Sequence, residues 1–400
     1  MAHAIEPIFP LDLLQAPKQS RIDYFAQKGI AHDAIVNACE LAKDNIDFGT
    51  AGQIIPIVGP SGVGTTKLAY NLWHHYQRQG LEEAGQAVAQ NARYSIGVHA
   101  SGQAGKINRS YWKGLLIAIL ENGGDILIDN KLCVPSTEFM LTHPIPWADP
   151  KRCDVETLLR CVVSMLKMRK TKVLFINQAH RLFPDGDAGG CSLSQQMLMD
   201  LAAQTQARIV LIGDYGLVRE SAGGLDWFHR QLVVHFRRYD KRDRVELETF
   251  VSTVETLLGS MVLPDGKRMG KLTHNDAEQI YNRSVGCIGE CKRSFEMAYK
   301  HALHTGEKIT TELILPFMSS VKTAKKIALD ALVGEQILLD EDDASLSNLL
   351  ECGMATGGQS STGPVSESRP AKGASSRPKR RIGERKPTRD PVGAVYAQRA

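Results

Sequence analysis

Thr65 stands where a phosphate-binding loop carries its lysine. Gly59-Pro60-Ser61-Gly62-Val63-Gly64-Thr65-Thr66 otherwise fits the pattern G-x-x-x-x-G-K-[ST]. In that pattern backbone amides cradle the inner phosphates and the lysine reaches the outer ones. Ile54-Ile55-Pro56-Ile57-Val58, upstream, is apolar and largely β-branched, which predicts a buried parallel strand. Lys67-Leu68-Ala69-Tyr70-Asn71-Leu72, downstream, predicts a helix whose first amides face an anion. Lys67 lies two positions past Thr65, about 200° round a helix, so it is expected to point away from the loop. The chemistry left is anion binding by the amides and the Thr66 hydroxyl. Residues Gly59 to Thr66, with Lys67 beside them, form the candidate nucleotide-binding segment. A glycine-rich turn with no ligand is the competing reading.

Composition narrows the class of protein. The chain has 400 residues, enough for one large or two moderate domains. It is 43% hydrophobic and 23% charged, as soluble globular proteins are. Its eight cysteines form no C-x-x-C pair, so neither a zinc site nor a disulfide framework is expected. Free thiols in a reducing cytoplasm are expected instead. No signal sequence and no membrane-spanning apolar run is apparent. The net charge of +4 is unevenly spread. Residues 335–351 carry six acids and no base, a local charge of −6. Residues 369–389 carry nine Lys or Arg against one acid, Glu384, a local charge of +8.

Segments 94–99, 172–177, 208–213 and 232–236 read as four more strands, and helical patterns such as 153–169 and 193–206 separate them. Strands alternating with helices imply a parallel sheet covered on both faces. After Arg238 the strands stop. Residues 240–330 read as helical, broken at Pro264-Asp265-Gly266, Gly286 and Gly306. The expected organisation is an N-terminal arm and helix over 1–50, an α/β domain over 51–239, a small helical domain over 240–333, and an acidic then basic disordered tail over 334–400.

Several segments, taken in order, resemble the AAA+ ATPases of the TniB/TnsC type, which regulate bacterial DNA transposition. Ala16-Pro17-Lys18-Gln19-Ser20-Arg21-Ile22-Asp23-Tyr24 and Ala31-His32 are similar to that family's N-terminal segment. Gly59–Thr66 falls at its Walker A position and Val173-Leu174-Phe175-Ile176-Asn177-Gln178-Ala179-His180 at its Walker B strand. Gly213-Asp214-Tyr215-Gly216-Leu217 resembles its sensor-1 turn. His229-Arg230 and His235-Phe236-Arg237-Arg238-Tyr239 resemble its arginine-finger and fifth-strand region. Gly286-Cys287-Ile288-Gly289, running on to Thr310-Thr311-Glu312-Leu313, resembles its helical lid. The resemblance covers roughly residues 15–318 and implies an AAA+ P-loop domain followed by a lid.

The departures from that family bear on chemistry. Its Walker B strand ends in Asp-Glu, for magnesium and for the attacking water, where this chain has Asn177 and Gln178. A carboxamide keeps the shape but not the charge, and its NH₂ is a donor. Asp214 replaces the neutral residue expected at sensor 1 and sets a negative charge near the outer phosphate. With Thr65, these degenerate positions leave no intact catalytic set, and a pseudo-ATPase is expected. ATP binding without hydrolysis stays open, as does magnesium, which Asp214 could hold from the neighbouring strand. No other metal is implied.

The resemblance also makes Arg230 a candidate intersubunit arginine finger and Lys292 or Arg293 a candidate sensor-2 charge. Each has an ordinary surface arginine or lysine as its alternative. Residues 101–113 are Gly-rich and basic and end in Tyr111-Trp112-Lys113, suited to a phosphate backbone. Lys106 and Arg109 are therefore candidate DNA contacts, against a solvated loop with Tyr111 and Trp112 in the core. Arg377, Lys379, Arg380 and Arg381 in the tail suit DNA, or recruitment of a transposase. The implied partners are double-stranded DNA, a transposase and a target selector, with a homo-oligomer or a hetero-oligomer with a paralogue, in the bacterial cytoplasm and off the membrane. The rival readings are an active DNA-dependent ATPase with substituted catalytic residues and a DNA-independent scaffold.

Overall fold

Strand β1 (Ile54–Val58) is buried at all five positions, and its side chains alternate between two cores. The computed structural model describes residues 9–84, 92–100, 109–124, 154–183, 188–219 and 233–339, together with 347 and 350. The chain divides into two units, Met1–Asp340 and Glu341–Ala400. All elements named here belong to the first.

Helix α1 (Lys18–Gln27) begins after Pro17, which suits a helix start because the missing N–H has no helical partner there. It lies within the segment expected to hold an arm and a helix. Arg21 is buried and donates to the carbonyls of Leu13, Leu14 and Ala16 at 2.9–3.0 Å, tying the preceding turn to the helix. Helix α2 (Asp33–Phe48) leads to β1, and α3 (Thr65–Ala84) follows the loop. Then come β2 (Ser95–His99), α4 (Arg109–Asn122), α5 (Val155–Met168), β3 (Val173–Asn177), α6 (Ala188–Thr205), β4 (Arg208–Gly213) and β5 (Val234–His235).

The sheet order is β2-β3-β4-β1-β5, and every pair is parallel. Ile55, Ile57, Phe175, Val210 and Ile212 pack under α2 and α3 with Leu68 and Leu72. Ile54, Val58, Leu174, Ile176 and Leu211 pack on the other face with Leu115, Val162 and Leu198 from α4, α5 and α6. The result is a three-layer α/β P-loop fold. Pro56 sits inside β1, where the lost N–H would ordinarily break a ladder. Pairing with β5 begins only at Ile57, so the ladder on that side starts after it. Trp112 belongs to the core: it is 1% exposed and donates to Ser194 Oγ at 3.0 Å, while Ser194 donates to Leu182 O at 2.7 Å.

The lid comprises α7 (Arg244–Gly259), α8 (His274–Ser284), α9 (Ile288–Thr305), α10 (Thr311–Ile314) and α11 (Val321–Ile337). Phe250, Leu257, Ile280, Phe295 and Tyr299 fill its core, and Phe25 of α1 joins it edge-on to Tyr299 at 5.6 Å. The predicted breaks at Gly266, Gly286 and Gly306 all adopt positive φ. Helix α11 returns to the sheet and continues past residue 333, where the tail was expected to begin. A methyl group on Gly334 would lie 2.0 Å from the Tyr215 ring, and Glu335 pairs with the mostly buried Arg238 at 2.8 Å. These contacts keep the first residues of the acidic run in the fold.

Replacing Trp112 by Ala removes its packing and leaves Ser194 without that donor, so it is expected to cost about 3–5 kcal/mol. Urea unfolding measures this. Trp112→Phe keeps most of the packing and is expected to lose less than half as much.

Candidate functional site: a phosphate loop under the lid

The loop between β1 and α3 has the conformation of an anion cradle. Gly62 and Gly64 have φ of +85° and +122°, which L side chains rarely adopt. The Gly64 carbonyl accepts the N–H groups of Lys67 and Leu68 at 3.0 and 3.1 Å, so the helix starts at the end of the loop. The first amides of such a helix have no intrahelical acceptor and carry the positive end of the helix dipole. Phe236, after β5, donates its N–H to Val58 O at 2.7 Å and lays its ring near Gly64.

Thr65 occupies the lysine place, and Lys67 does not replace it. The Lys67 ammonium stands 5.1 Å over the Tyr70 ring, and its stem runs beside Gly29. This agrees with the direction expected from helical rotation.

Asn177, at the C-terminal end of β3, is 5% exposed. Its Oδ1 accepts the Gln178 N–H at 3.0 Å, which sets the orientation of the amide. Its Nδ2 then lies 3.4 Å from Thr66 Oγ1 and 3.2 Å from His99 Nδ1. Gln178 follows in a left-handed backbone conformation, φ 57° and ψ 34°, at the start of a short 3₁₀ turn. Asp214 caps another such turn, its Oδ1 accepting the Gly216 N–H at 2.9 Å and lying 3.5 Å from His180 Nδ1. Burial lowers the proton affinity of His180, and the Asp214 carboxylate pulls the other way. His99 and His180 were not singled out in the sequence. Their signal was position: one ends β2, beside β3, and the other lies in the turn that follows β3.

The lid closes on this loop. A methyl group at Gly289 would lie 2.6 Å from Gly62 O and 3.2 Å from Gly64 N, so the backbone of α9 touches the backbone of the loop. The Glu290 N–H donates to Gly62 O at 2.9 Å. The Glu290 side chain is only 7% exposed, and its Oε1 accepts from Arg293 at 2.8 Å and Ser319 Oγ at 2.6 Å. Glu290 was missed in the sequence because nothing local marks a helical glutamate as a neighbour of the loop.

Lys292, one sensor-2 candidate, donates to Ala26 O at 2.9 Å and to Lys28 O. Burial, helped by the Lys67 charge, lowers its pKa. Arg293, the other, is 69% exposed in its side chain and pairs with Glu290. Both cations are thus engaged by protein partners. Arg230, Lys106 and the tail residues Arg377, Lys379, Arg380 and Arg381 lie outside the described residues, as does the Arg109 side chain at the start of α4. Among the described residues no three His, Cys, Asp or Glu side chains are placed to hold a metal ion, and no helix is long and apolar enough to cross a membrane.

His32 lies beside the loop, buried, stacked on Phe236 and 3.0 Å from Tyr239 Oη. Burial pushes its pKa down to about 4, with Asp33 opposing. The unfolded chain takes up this proton near the ordinary histidine pKa of about 6.5, and the folded chain does not. Stability from this group is therefore full above that value and lost as pH falls toward 4. Thermal melts from pH 7 to 4 are expected to show this decline, and His32→Gln to flatten it. Gly289→Ala is expected to destabilise by about 1–3 kcal/mol by forcing α9 off the loop, and the same melts at pH 7 read it.

No protein-family model matches the chain, and no curated protein matches it. Among solved structures, the Aeropyrum pernix ORC2 protein, in its ADPNP–ADP complexes, is 11% identical over 73% of this chain and 69% of that one, with a TM-score of 0.44. The Walker-type ATPase PABY2304 of Pyrococcus abyssi is 12% identical over 79% of this chain and 75% of its own, with a TM-score of 0.40. Domain III of the Thermotoga maritima replication initiation protein DnaA is 13% identical over 73% of this chain and 94% of that one, also with a TM-score of 0.40. Likenesses this distant say nothing of ligand or activity, and the fold class rests on strand order and loop conformation.

Proposed function

We propose that this chain is an AAA+ protein of DNA transposition that assembles on duplex DNA and links a target selector to a transposase, with ATP hydrolysis lost. The observation that carries the loss of hydrolysis is the Asn177 amide, whose N–H side faces Thr66 Oγ1 at 3.4 Å. In a working P-loop ATPase that hydroxyl and an ionised carboxylate share the magnesium ion. Thr65 supplies no charge to the outer phosphate, and Gln178 cannot accept a proton from water as a glutamate does. Removing one well-placed electrostatic group costs about 10²–10³ in rate, and groups that act together do not add simply. Three such changes leave no useful turnover.

In this reading nucleotide has a structural role, holding loop, lid and N-terminal helix in one arrangement. Arg230 is the proposed contact to a neighbouring subunit, in a homo-oligomer or with a paralogue that supplies hydrolysis. Lys106, Arg109 and the tail cluster are the proposed contacts to DNA or transposase. The order of the segments matching the TniB/TnsC type supports this reading, as does the P-loop architecture with its lid. Asp214 gives the active-ATPase alternative little support, because Gly216 and His180 already engage its carboxylate.

Steady-state ATP turnover, measured with and without duplex DNA, is expected at background. Turnover that Thr66→Ala abolishes would reject the pseudo-ATPase reading. Replacing Arg377, Lys379, Arg380 and Arg381 by Ala is expected to lower the salt slope of DNA binding by up to about 0.9 per lost phosphate contact. An unchanged slope assigns the cluster to protein recruitment.

A further inference from the structure

The metal of P-loop ATPases does not fit the residues that stand in its place here. Magnesium takes near-octahedral oxygen ligands and is held through one or two carboxylates together with substrate phosphates. The oxygen of the Asn177 amide is committed to the Gln178 N–H at 3.0 Å, so rotating the amide to present oxygen to a cation would break that bond. What faces Thr66 Oγ1 is the NH₂ group, the positive end of the amide dipole. Asp214 caps its turn and faces His180. Glu290 accepts from Arg293 and Ser319.

Three described cations near the loop are committed elsewhere too. Lys67 lies over Tyr70, Lys292 serves the carbonyls of Ala26 and Lys28, and Arg293 serves Glu290. Loop amides, a helix terminus worth about half a positive charge and the Thr66 hydroxyl remain, with the Asn177 NH₂ behind that hydroxyl and also facing His99. All are donors, and all suit the inner phosphates that loop amides cradle. The outer phosphate is the one that lysine and magnesium serve. Here it would bring further negative charge to a site bordered by Asp214 and Glu290.

Building on the proposal that nucleotide binds this loop, we infer that its ligand is a metal-free nucleoside diphosphate, and that both magnesium and a third phosphate are dispensable. The amide of Asn177 acts as a neutral donor to Thr66 Oγ1, the hydroxyl that would otherwise share a metal ion.

The test uses the full chain and a fluorescent N-methylanthraniloyl-ADP, titrated in excess magnesium chloride and in EDTA. The two affinities are expected to agree within about threefold, and unlabelled ATP to compete about tenfold less well than ADP, a difference of about 1.4 kcal/mol. Asn177→Asp, checked for folding by thermal melt, is expected to make binding magnesium-dependent by about tenfold. Thr65→Lys is expected to bring ATP level with ADP and keeps the proposal testable should the first variant unfold. A tenfold loss of affinity in EDTA for the unaltered chain overturns the metal-free site while leaving nucleotide binding intact. Absence of binding in both conditions overturns the underlying reading and this inference with it.

Discussion

Backbone meets backbone where α9 reaches the phosphate loop, and the arrangement of the site depends on that approach. Gly289 has no side chain to hold the two apart, and the Glu290 N–H closes the gap by donating to Gly62 O at 2.9 Å. Once α9 is seated, Lys292 reaches α1 and the segment after it, and Arg293 and Ser319 converge on Glu290. Loop, lid and N-terminal helix are joined through a few polar groups, each with its partner. Leaving such groups unpaired in a half-buried site would cost more than making the bonds gains.

The electrostatics follow from where charge has been spent. A working ATPase of this fold keeps a lysine and a metal free to meet developing negative charge. Among the described residues, Lys67, Lys292 and Arg293 serve an aromatic ring, carbonyls and a buried carboxylate, and the amides Asn177 and Gln178 stand at the end of β3. The geometry for gripping an anion survives because it belongs to the backbone, in the positive φ of Gly62 and Gly64 and the first turn of α3. Side-chain chemistry can be lost by single substitutions, whereas the cradle persists as long as β1 and α3 do.

Much of the fold was legible in the residues. β1, β3 and β4 lie where largely apolar runs predict them, since strands buried on both faces are mostly apolar, and β2 lies at its predicted place although Ser95, Gly97 and His99 interrupt its apolar residues. β5 was expected over 232–236, and among its described residues Val234 and His235 pair with β1. The end of the lid was misplaced. Gly334 and Glu335 read as the start of a polar tail, yet one presses on Tyr215 and the other neutralises Arg238. Trp112 was open between gripping a strand of nucleic acid and filling the core, and its hydrogen bond to Ser194, far along the chain, settles it as core.

By itself the sequence determined the loop, the threonine at its lysine place, the amides Asn177 and Gln178 at the end of a strand and the glycine breaks of the helical part. Each is written in consecutive residues, whose spacing sets backbone conformation and side-chain period directly. Only the tertiary structure decided what the distant polar groups do: that Lys292 holds the end of α1 and that Asn177 directs its NH₂ at Thr66. The physical reason is that a side chain's hydrogen-bond partner is chosen by proximity after the chain has folded. Partners such as Lys292 and Ala26 lie too far apart along the chain for any local pattern to record their meeting.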